Sequence, residues 1–300
     1  MKRVWRPLDG VLLFDKPLHL SSNDALQKVR RLFQAEKAGH TGTLDPMATG
    51  LLPICFGEAT KFSHGLLDAD KSYRARVKLG QTSSTGDAEG EITITHAPLP
   101  DETRVREVLR NFLGEIEQVP PMHSALKHHG KPLYEYIRQG ETVERAARRV
   151  VIHDLVLESF SGSEMEIFVH CSKGTYIRTL GEDIGKALGC GAHLRALRRT
   201  AIANLSLEHA RTWEQLEGMD MQQRDACLLP VDSLLQELPM LELDAEQARR
   251  ILLGQRLAID VPLSGGRIRL YDAGRFIGVA ELTGRRLAPE RLLSGAVRGG

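Results

Sequence analysis

The chain is poor in cysteine, with four in 300 residues, at positions 55, 171, 190 and 227. They form no C-x-x-C pair and no histidine-bearing zinc pattern. Neither a structural zinc site nor a disulfide framework is indicated, and buried free thiols are expected. No stretch approaches the roughly eighteen consecutive apolar residues of a membrane-crossing helix. The opening Met1-Lys2-Arg3-Val4-Trp5-Arg6-Pro7 lacks the apolar run and cleavage site of a secretory signal, so a cytoplasmic protein is expected. Gly80–Gly90 and Ser172–Thr175 contain no G-x-x-x-x-G-K-[ST] loop, which argues against a nucleotide-hydrolysing enzyme. The histidines, His128-His129 included, lack metal-ligand spacing on a helix or hairpin, and no metal or cofactor is expected. Aromatic residues are only 5% of the chain, so a tyrosine inside a motif is not mere background.

What is present is ordinary for a folded protein: 42% apolar and 26% charged residues, in a length that suits one large domain plus a small one. The net charge of +1 conceals a division along the chain. Residues 212–248 carry nine acids against one basic residue, Arg224, whereas residues 249–300 carry ten arginines against four acids. Residues 173–211 hold seven Lys or Arg against three acids, and residues 1–40 hold eight against four. Basic patches on a nearly neutral chain suit a protein that grips a polyanion on one face. Solvated surface charge is the plainer alternative.

The pattern along the chain mixes strands and helices without a βαβ period, which reads as α+β. Residues 10–14 form a short apolar strand, and Ser21 or Ser22 can cap a helix in which Ala25, Val29, Leu32 and Phe33 recur at helical spacing. Residues 39–57 read as a loop with a short strand at 51–56, followed by a short helix. Residues 71–80 alternate, with Tyr73, Ala75, Val77 and Leu79 on one face and Ser72, Arg74, Arg76 and Lys78 on the other. A helix is expected around 101–113, a hairpin over 149–160 and 165–172, and a helix over 175–188 closed by Gly189. The acidic stretch 212–248 is helical in pattern and holds a boundary near residue 241. Beyond it, 267–271 and 276–282 read as strands about a turn at Asp272-Ala273-Gly274, giving domains of 1–240 and 241–300.

The segment richest in possible chemistry is Gly39-His40-Thr41-Gly42-Thr43-Leu44-Asp45-Pro46-Met47-Ala48-Thr49-Gly50. Its glycines let the backbone turn tightly and approach a ligand, and Pro46 biases Asp45 toward an extended conformation at the loop rim. A carboxylate among apolar, Gly and Thr neighbours can act as nucleophile, acid or base. Taken alone, the segment reads first as an Asp-Pro turn with local hydrogen bonds, since such turns are common.

The run GHTGTLDPMATGLLP resembles the signature loop of the bacterial-type tRNA pseudouridine synthase B family, which modifies uridine 55 in the T arm. Other motifs follow in the family's order: Gly10 to Pro17, Ser21 to Asp24, Gly57 to Lys61, Lys71 to Arg74, Pro121 to Lys127, Leu133 to Tyr136 and Cys171 to Arg178. The resemblance covers roughly residues 10–210. It implies a mixed, largely antiparallel catalytic sheet with flanking helices, and, by position alone, a small β-rich PUA-like RNA-binding domain at the C-terminus. It implies Asp45 as the nucleophile, attacking C1′ of the ribose or C6 of a flipped-out uridine. Tyr73 would lie against the target base and Tyr176 and Leu197 would wall the pocket. Arg178 would pair with the carboxylate and His40 would fill the space the base leaves, while Lys16 and Pro17 would support the loop. tRNA is the implied partner, a monomer is expected, and no cofactor is implied.

Two other readings stay open at this level. A glycoside or nucleoside hydrolase built on Asp45 would need a second carboxylate, and the segment Gly39 to Gly50 holds none besides Asp45. An RNA-binding protein without chemistry would tolerate Asp45→Asn.

Overall fold

The computed structural model describes residues 4–122, 126–128, 131–141 and 143–294. Within the sequence features above, Met1 to Arg3, His123 to Ala125, His129 and Arg298 lie outside the described residues. The chain begins with β1 (Gly10–Lys16), two residues longer than its apolar run, because Lys16 is itself buried at the strand end. Ser21 caps helix α1 (Ser22–Leu32) by accepting from Asp24 N. β2 (Ala38–His40) and β3 (Ala48–Phe56) follow, the latter three residues longer at its start than expected. Next come β4 (Lys71–Leu79), α2 (Glu102–Arg110), β5 (Gly114–Gln118), the hairpin strands β6 (Arg148–Phe160) and β7 (Glu164–Cys171), and α3 (Ile177–Leu188). Gly189 ends α3 in the left-handed region at φ 76°, donating back to the carbonyls of Gly185 and Lys186.

The strand that organises this unit, β8 (Ala192–Ile202), escapes the sequence pattern. Its AHLRALRRTAI reads as a basic segment, yet it runs through the sheet between β3 and β4. The nine-stranded sheet has the order β1-β3-β8-β4-β7-β6-β5, with β2 added to β3 and the two-residue strand Leu205–Ser206 added to β8. Every pairing is antiparallel except β3 with β8, where Ala48, Thr49 and Gly50 face Leu197, Arg198 and Arg199. That seam requires Gly50: its φ is +102°, and a Cβ there would lie 2.3 Å from the Arg199 carbonyl oxygen.

Apolar faces place the layers. α2 and α3 bury Val105, Val108, Leu109, Leu180 and Ile184 against Val77, Leu79, Ile167 and Leu194 of the sheet. α1 buries Ala25, Leu26 and Val29 against Leu12, Phe14, Leu52 and Ile54 at the other end. β4 alternates as its sequence dictates, except that Ser72 is buried rather than solvated.

The acidic stretch is not one helical segment. Short helices at Trp213–Gly218 and Met221–Asp225 and a 3-10 turn at Val231–Leu235 break it up, and Met240–Leu243 is a strand, β9. Three capping boxes explain part of the composition: Thr212 with Gln215, Asp220 with Gln223, and Asp244 with Gln247, the last opening α4 (Ala245–Leu252). β10 (Leu257–Ala258), β11 (Gly266–Asp272), β12 (Arg275–Thr283) and β13 (Arg286–Leu292) then complete a five-stranded sheet of order β9-β11-β12-β13-β10. Ala273 and Gly274 both have positive φ, as a two-residue hairpin turn between β11 and β12 requires.

This second sheet has its own core around Leu243, Ile251, Ile268 and Ile277. It also shares a cluster with the first unit, in which Tyr271, Phe276 and Val279 meet Val11, Leu13, Leu51, Phe62 and Leu66. Phe62 and Phe276 stack edge to face at 5.4 Å. Lys61 Nζ donates to the Leu292 carbonyl at 3.1 Å and to Ser294 Oγ at 2.6 Å.

Candidate active site

Asp45 sits on the turn that leads into β3, with Ala48 N donating to its carbonyl at 3.0 Å. The preceding residue is held by α1: Ser22 Oγ donates to the Leu44 carbonyl at 3.0 Å and accepts from Leu44 N at 2.8 Å. The buried Lys16 ammonium fixes the approach to α1 by donating to the carbonyls of Pro17 and Leu20 at 2.9 and 2.7 Å. The loop is therefore braced from the helix start and from the end of β1.

Arg178, in the first turn of α3, has a side chain only 7% exposed, and its Nη2 stands 2.9 Å from Asp45 Oδ2. Its other nitrogen, Nη1, lies 3.4 Å from Asp87 Oδ2 and donates to the Thr85 carbonyl at 3.2 Å. Asp87 is buried and is held in turn by the Thr85 hydroxyl at 2.6 Å and Glu89 N at 3.1 Å. A second carboxylate, outside the candidate motifs, thus stands near Asp45. It stands across the guanidinium from Asp45 and does not line the cleft.

The cleft has a volume of about 280 Å³ and is lined by Asp45, Tyr73, Tyr176, Arg178 and Leu197, together with Thr43, Leu44, Leu126, Thr175 and Ile177. Five of the residues singled out from sequence therefore meet at one place. Tyr73 and Leu197 are mostly buried in its wall, and Tyr176 is half-buried at the N-cap of α3. The other two stand apart from the lining: Lys16 lies behind the loop, and His40 is at the end of β2 with Nδ1 buried and without a partner among the described residues.

Arg199 and Asp87 were not singled out by sequence reasoning. Arg199 faces Tyr73 across the β8–β4 register and is 1% exposed. Its Nε donates to the Leu51 carbonyl at 2.8 Å and its Nη2 to the Gly42 carbonyl at 3.0 Å, and its charge acts on the Tyr73 phenol. No carboxylate pairs with it among the described residues. The only local signal was the Arg198-Arg199 doublet, which reads as part of a basic surface. Asp87, within Gly86-Asp87-Ala88-Glu89-Gly90, reads as a solvated turn.

Electrostatics in the cleft follow from burial set against these cations. Burial raises the Asp45 carboxyl above its ordinary value, Arg178 and Lys16 oppose the rise, and Asp87 adds to it. The Asp45 side chain is still 39% exposed through the cleft mouth, which tempers that rise. Burial likewise raises the Tyr73 phenol, with Arg199 pulling the other way. Burial lowers Lys16 to about 8. His40 is lowered by burial and then by Arg199, which favours the neutral imidazole.

Solved structures share this architecture. A chain of an H/ACA ribonucleoprotein bound to a substrate RNA containing 2′-deoxyuridine aligns with TM-score 0.72 and 22% identity, covering 94% of this chain and 84% of that one. A chain of a Cbf5–Nop10–Gar1 complex aligns with TM-score 0.71 and 24% identity, covering 97% and 81%. Their fold is the fold described here: an α+β sheet unit followed by a small β-rich, PUA-like one.

Sequence narrows this further. Residues 30–177 match the model described as TruB family pseudouridylate synthase (N terminal domain). Residues 178–236 match the tRNA pseudouridylate synthase B C-terminal domain, and residues 239–293 match Pseudouridine synthase II TruB, C-terminal. A tRNA pseudouridine synthase B of Burkholderia mallei (strain NCTC 10247) is 57% identical over 295 residues, covering 96% of this chain and 98% of that protein. One from Methylobacillus flagellatus is 56% identical, with 97% of each covered. The chain belongs to the TruB family of pseudouridylate synthases.

Proposed function

We propose that the protein isomerises uridine to pseudouridine in tRNA, at position 55 of the T arm, with Asp45 as the nucleophile. The observation that carries the catalytic assignment is the 2.9 Å pair between Asp45 and the buried Arg178 in a cleft walled by Tyr73, Tyr176 and Leu197. The reaction breaks the N1–C1′ bond, turns the base and joins C5 to C1′. It is an internal rearrangement that balances without a redox partner. The uridine has to leave its stack to reach a cleft of this kind, at a cost of about a few kcal/mol, less in a loop than in a duplex.

Each wall has a part in this reading. Arg178 opposes the rise that burial imposes on Asp45 and aims its carboxylate through Nη2, while Nη1 is held by Asp87 and the Thr85 carbonyl. Tyr73 lies against the base, and Tyr176 and Leu197 supply an apolar slot for its other surfaces. His40, kept neutral, fills the space left in the RNA. Lys16 supports the loop from behind. The division at residue 240 gives a catalytic unit, 1–240, and an RNA-gripping PUA-like unit, 241–300. The protein works as a monomer in the cytoplasm.

The test is to treat unmodified tRNA with the purified protein and map pseudouridine by position. Product at position 55 from the wild type and none from Asp45→Asn, at equal RNA affinity, is expected. Free uracil as the product would instead favour a hydrolase, in which Asp87 would be the second carboxylate to examine.

A further inference from the structure

Away from the cleft, the sheet gathers three groups that lie far apart in the sequence. His153 of β6 and His170 of β7 have ring centroids 5.0 Å apart with 39° between their planes. Asp70, immediately before β4, puts Oδ2 3.1 Å from His153 Nε2. One ligand-type atom from each of the three lies within 4.8 Å of the other two. We propose that Asp70, His153 and His170 form a binding site for a divalent transition-metal ion of the zinc class.

Several local features fit a metal site better than a chance surface cluster. The β6–β7 register slips between Ile152 and Asp154, so His153 is the extra residue of a β-bulge, a device that re-aims a side chain. Ser72, directly opposite His170 in the β7–β4 register, places Oγ 3.0 Å from His170 Nδ1. With Nδ1–H donating to that oxygen, Nε2 carries the lone pair, the arrangement usual for a ligating imidazole with an outer hydrogen bond.

The neighbouring ammonium groups are engaged elsewhere. Lys71 Nζ donates to the Ala69 carbonyl at 2.6 Å and the Leu67 carbonyl at 3.2 Å, while Lys173 Nζ pairs with Asp68 at 2.9 Å. Asp70 is thereby left to His153.

Two imidazoles and one carboxylate suit zinc, cobalt or nickel, whereas magnesium and calcium select all-oxygen shells. Bonds of about 2.0–2.1 Å in a tetrahedron separate ligand atoms by about 3.3 Å. The Asp70–His153 pair already meets that spacing, and a His170 ligand atom lies within 4.8 Å of both. The side chains of His153 and Asp70 are 37% and 45% exposed, which leaves room for water to complete the shell. A bound ion would tie β6 and β7 to the start of β4, three residues ahead of Tyr73.

The experiment titrates Zn²⁺ into the chelator-stripped full-length protein by calorimetry. At about pH 7.5 one ion per chain is expected, weakening as the pH falls because protons compete with the metal for the imidazole nitrogens. His153→Ala and His170→Ala should each weaken binding at least ten-fold, and Ser72→Ala about ten-fold. His209→Ala, outside the cluster, should bind as the wild type does. Zinc should raise the Tm of the wild type but not of His170→Ala. The metal-free Tm of each variant, matched to the wild type, separates loss of a ligand from loss of the fold. No saturable binding, or unchanged binding in both histidine variants, overturns the proposal and leaves Asp70–His153 as a surface ion pair.

Discussion

Arg178 stands between two carboxylates and treats them unequally: Asp45 at 2.9 Å opens onto the cleft, and Asp87 at 3.4 Å is buried behind it. One guanidinium thus links the reactive loop to the segment at 85–89. Arg178→Lys should lower the single-turnover rate about 10- to 100-fold, the equivalent of about 1.5–3 kcal/mol for a hydrogen bond to a charged group. An ammonium cannot hold both carboxylates and the Thr85 carbonyl in one plane. Rapid-quench measurement at saturating tRNA checks this, and a wild-type rate would remove Arg178 as the partner of Asp45.

Tyr73 divides into a ring and a hydroxyl, and the two should separate kinetically. Tyr73→Phe keeps the wall of the cleft but loses the phenol on which the Arg199 charge acts, so tRNA should bind normally and react slowly. Tyr73→Ala should also weaken binding, by about 1–3 kcal/mol for a missing base stack. Filter binding beside single-turnover rates tests the separation. A folded Tyr73→Ala with full activity would make this an ordinary core tyrosine.

The pH profile should report on Lys16. Asp45 acts as a carboxylate, and its value is raised above the ordinary 3.8, so the rate should fall as pH drops through that raised value. The Lys16 charge pulls Asp45 down, hence Lys16→Met should move the acid limb to higher pH. Stability should carry a second signature. Folded Lys16 loses its proton at about 8, whereas the unfolded chain holds it to about 10.5. Between those values the unfolded state binds more protons, so this group's contribution to stability rises with pH, and the variant should lack that slope. Denaturant midpoints at several pH values would test it.

Removal of the C-terminal unit after Leu238 should have two effects. Affinity for tRNA should fall and its salt dependence should become shallower, by about 0.7–0.9 in log–log slope for each phosphate that is no longer neutralised. The expected change is modest, because Arg249, Arg267, Arg269 and Arg285 already pair with carboxylates, whereas Arg256 and Arg286 line a surface groove with Arg285. The Tm should also drop, since Phe62 is deprived of Phe276 and the shared apolar cluster is opened to water. Equal affinity and slope in the two forms would confine this unit to a structural role.

What the sequence disclosed and what it hid divide along a physical line. Alternation exposed β4, and helical spacing with Gly189 exposed α3, because each pattern is local. β8 was unreadable because its arginines occupy positions that the fold neutralises from afar: Arg198 pairs with Asp15, and Arg199 is satisfied by carbonyls of the reactive loop. Asp87 was missed for the same reason, since its partner lies on α3. The motif residues in the cleft were legible through family resemblance, whereas composition alone left Asp45 indistinguishable from an ordinary turn.

The parallel seam between β3 and β8 has a consequence for how the molecule forms. It joins Thr49 to Leu197, residues 148 positions apart, and the same seam aligns Asp45, Tyr73 and Leu197 around one cleft. Closing so long a loop has a large entropic cost before any pairing compensates for it, so such seams form late and slowly. During synthesis the reactive loop leaves the ribosome long before the strand that positions it. The nascent chain therefore carries its carboxylate without a working cleft until nearly two thirds of the protein exists, and chemistry on RNA waits for the sheet to close.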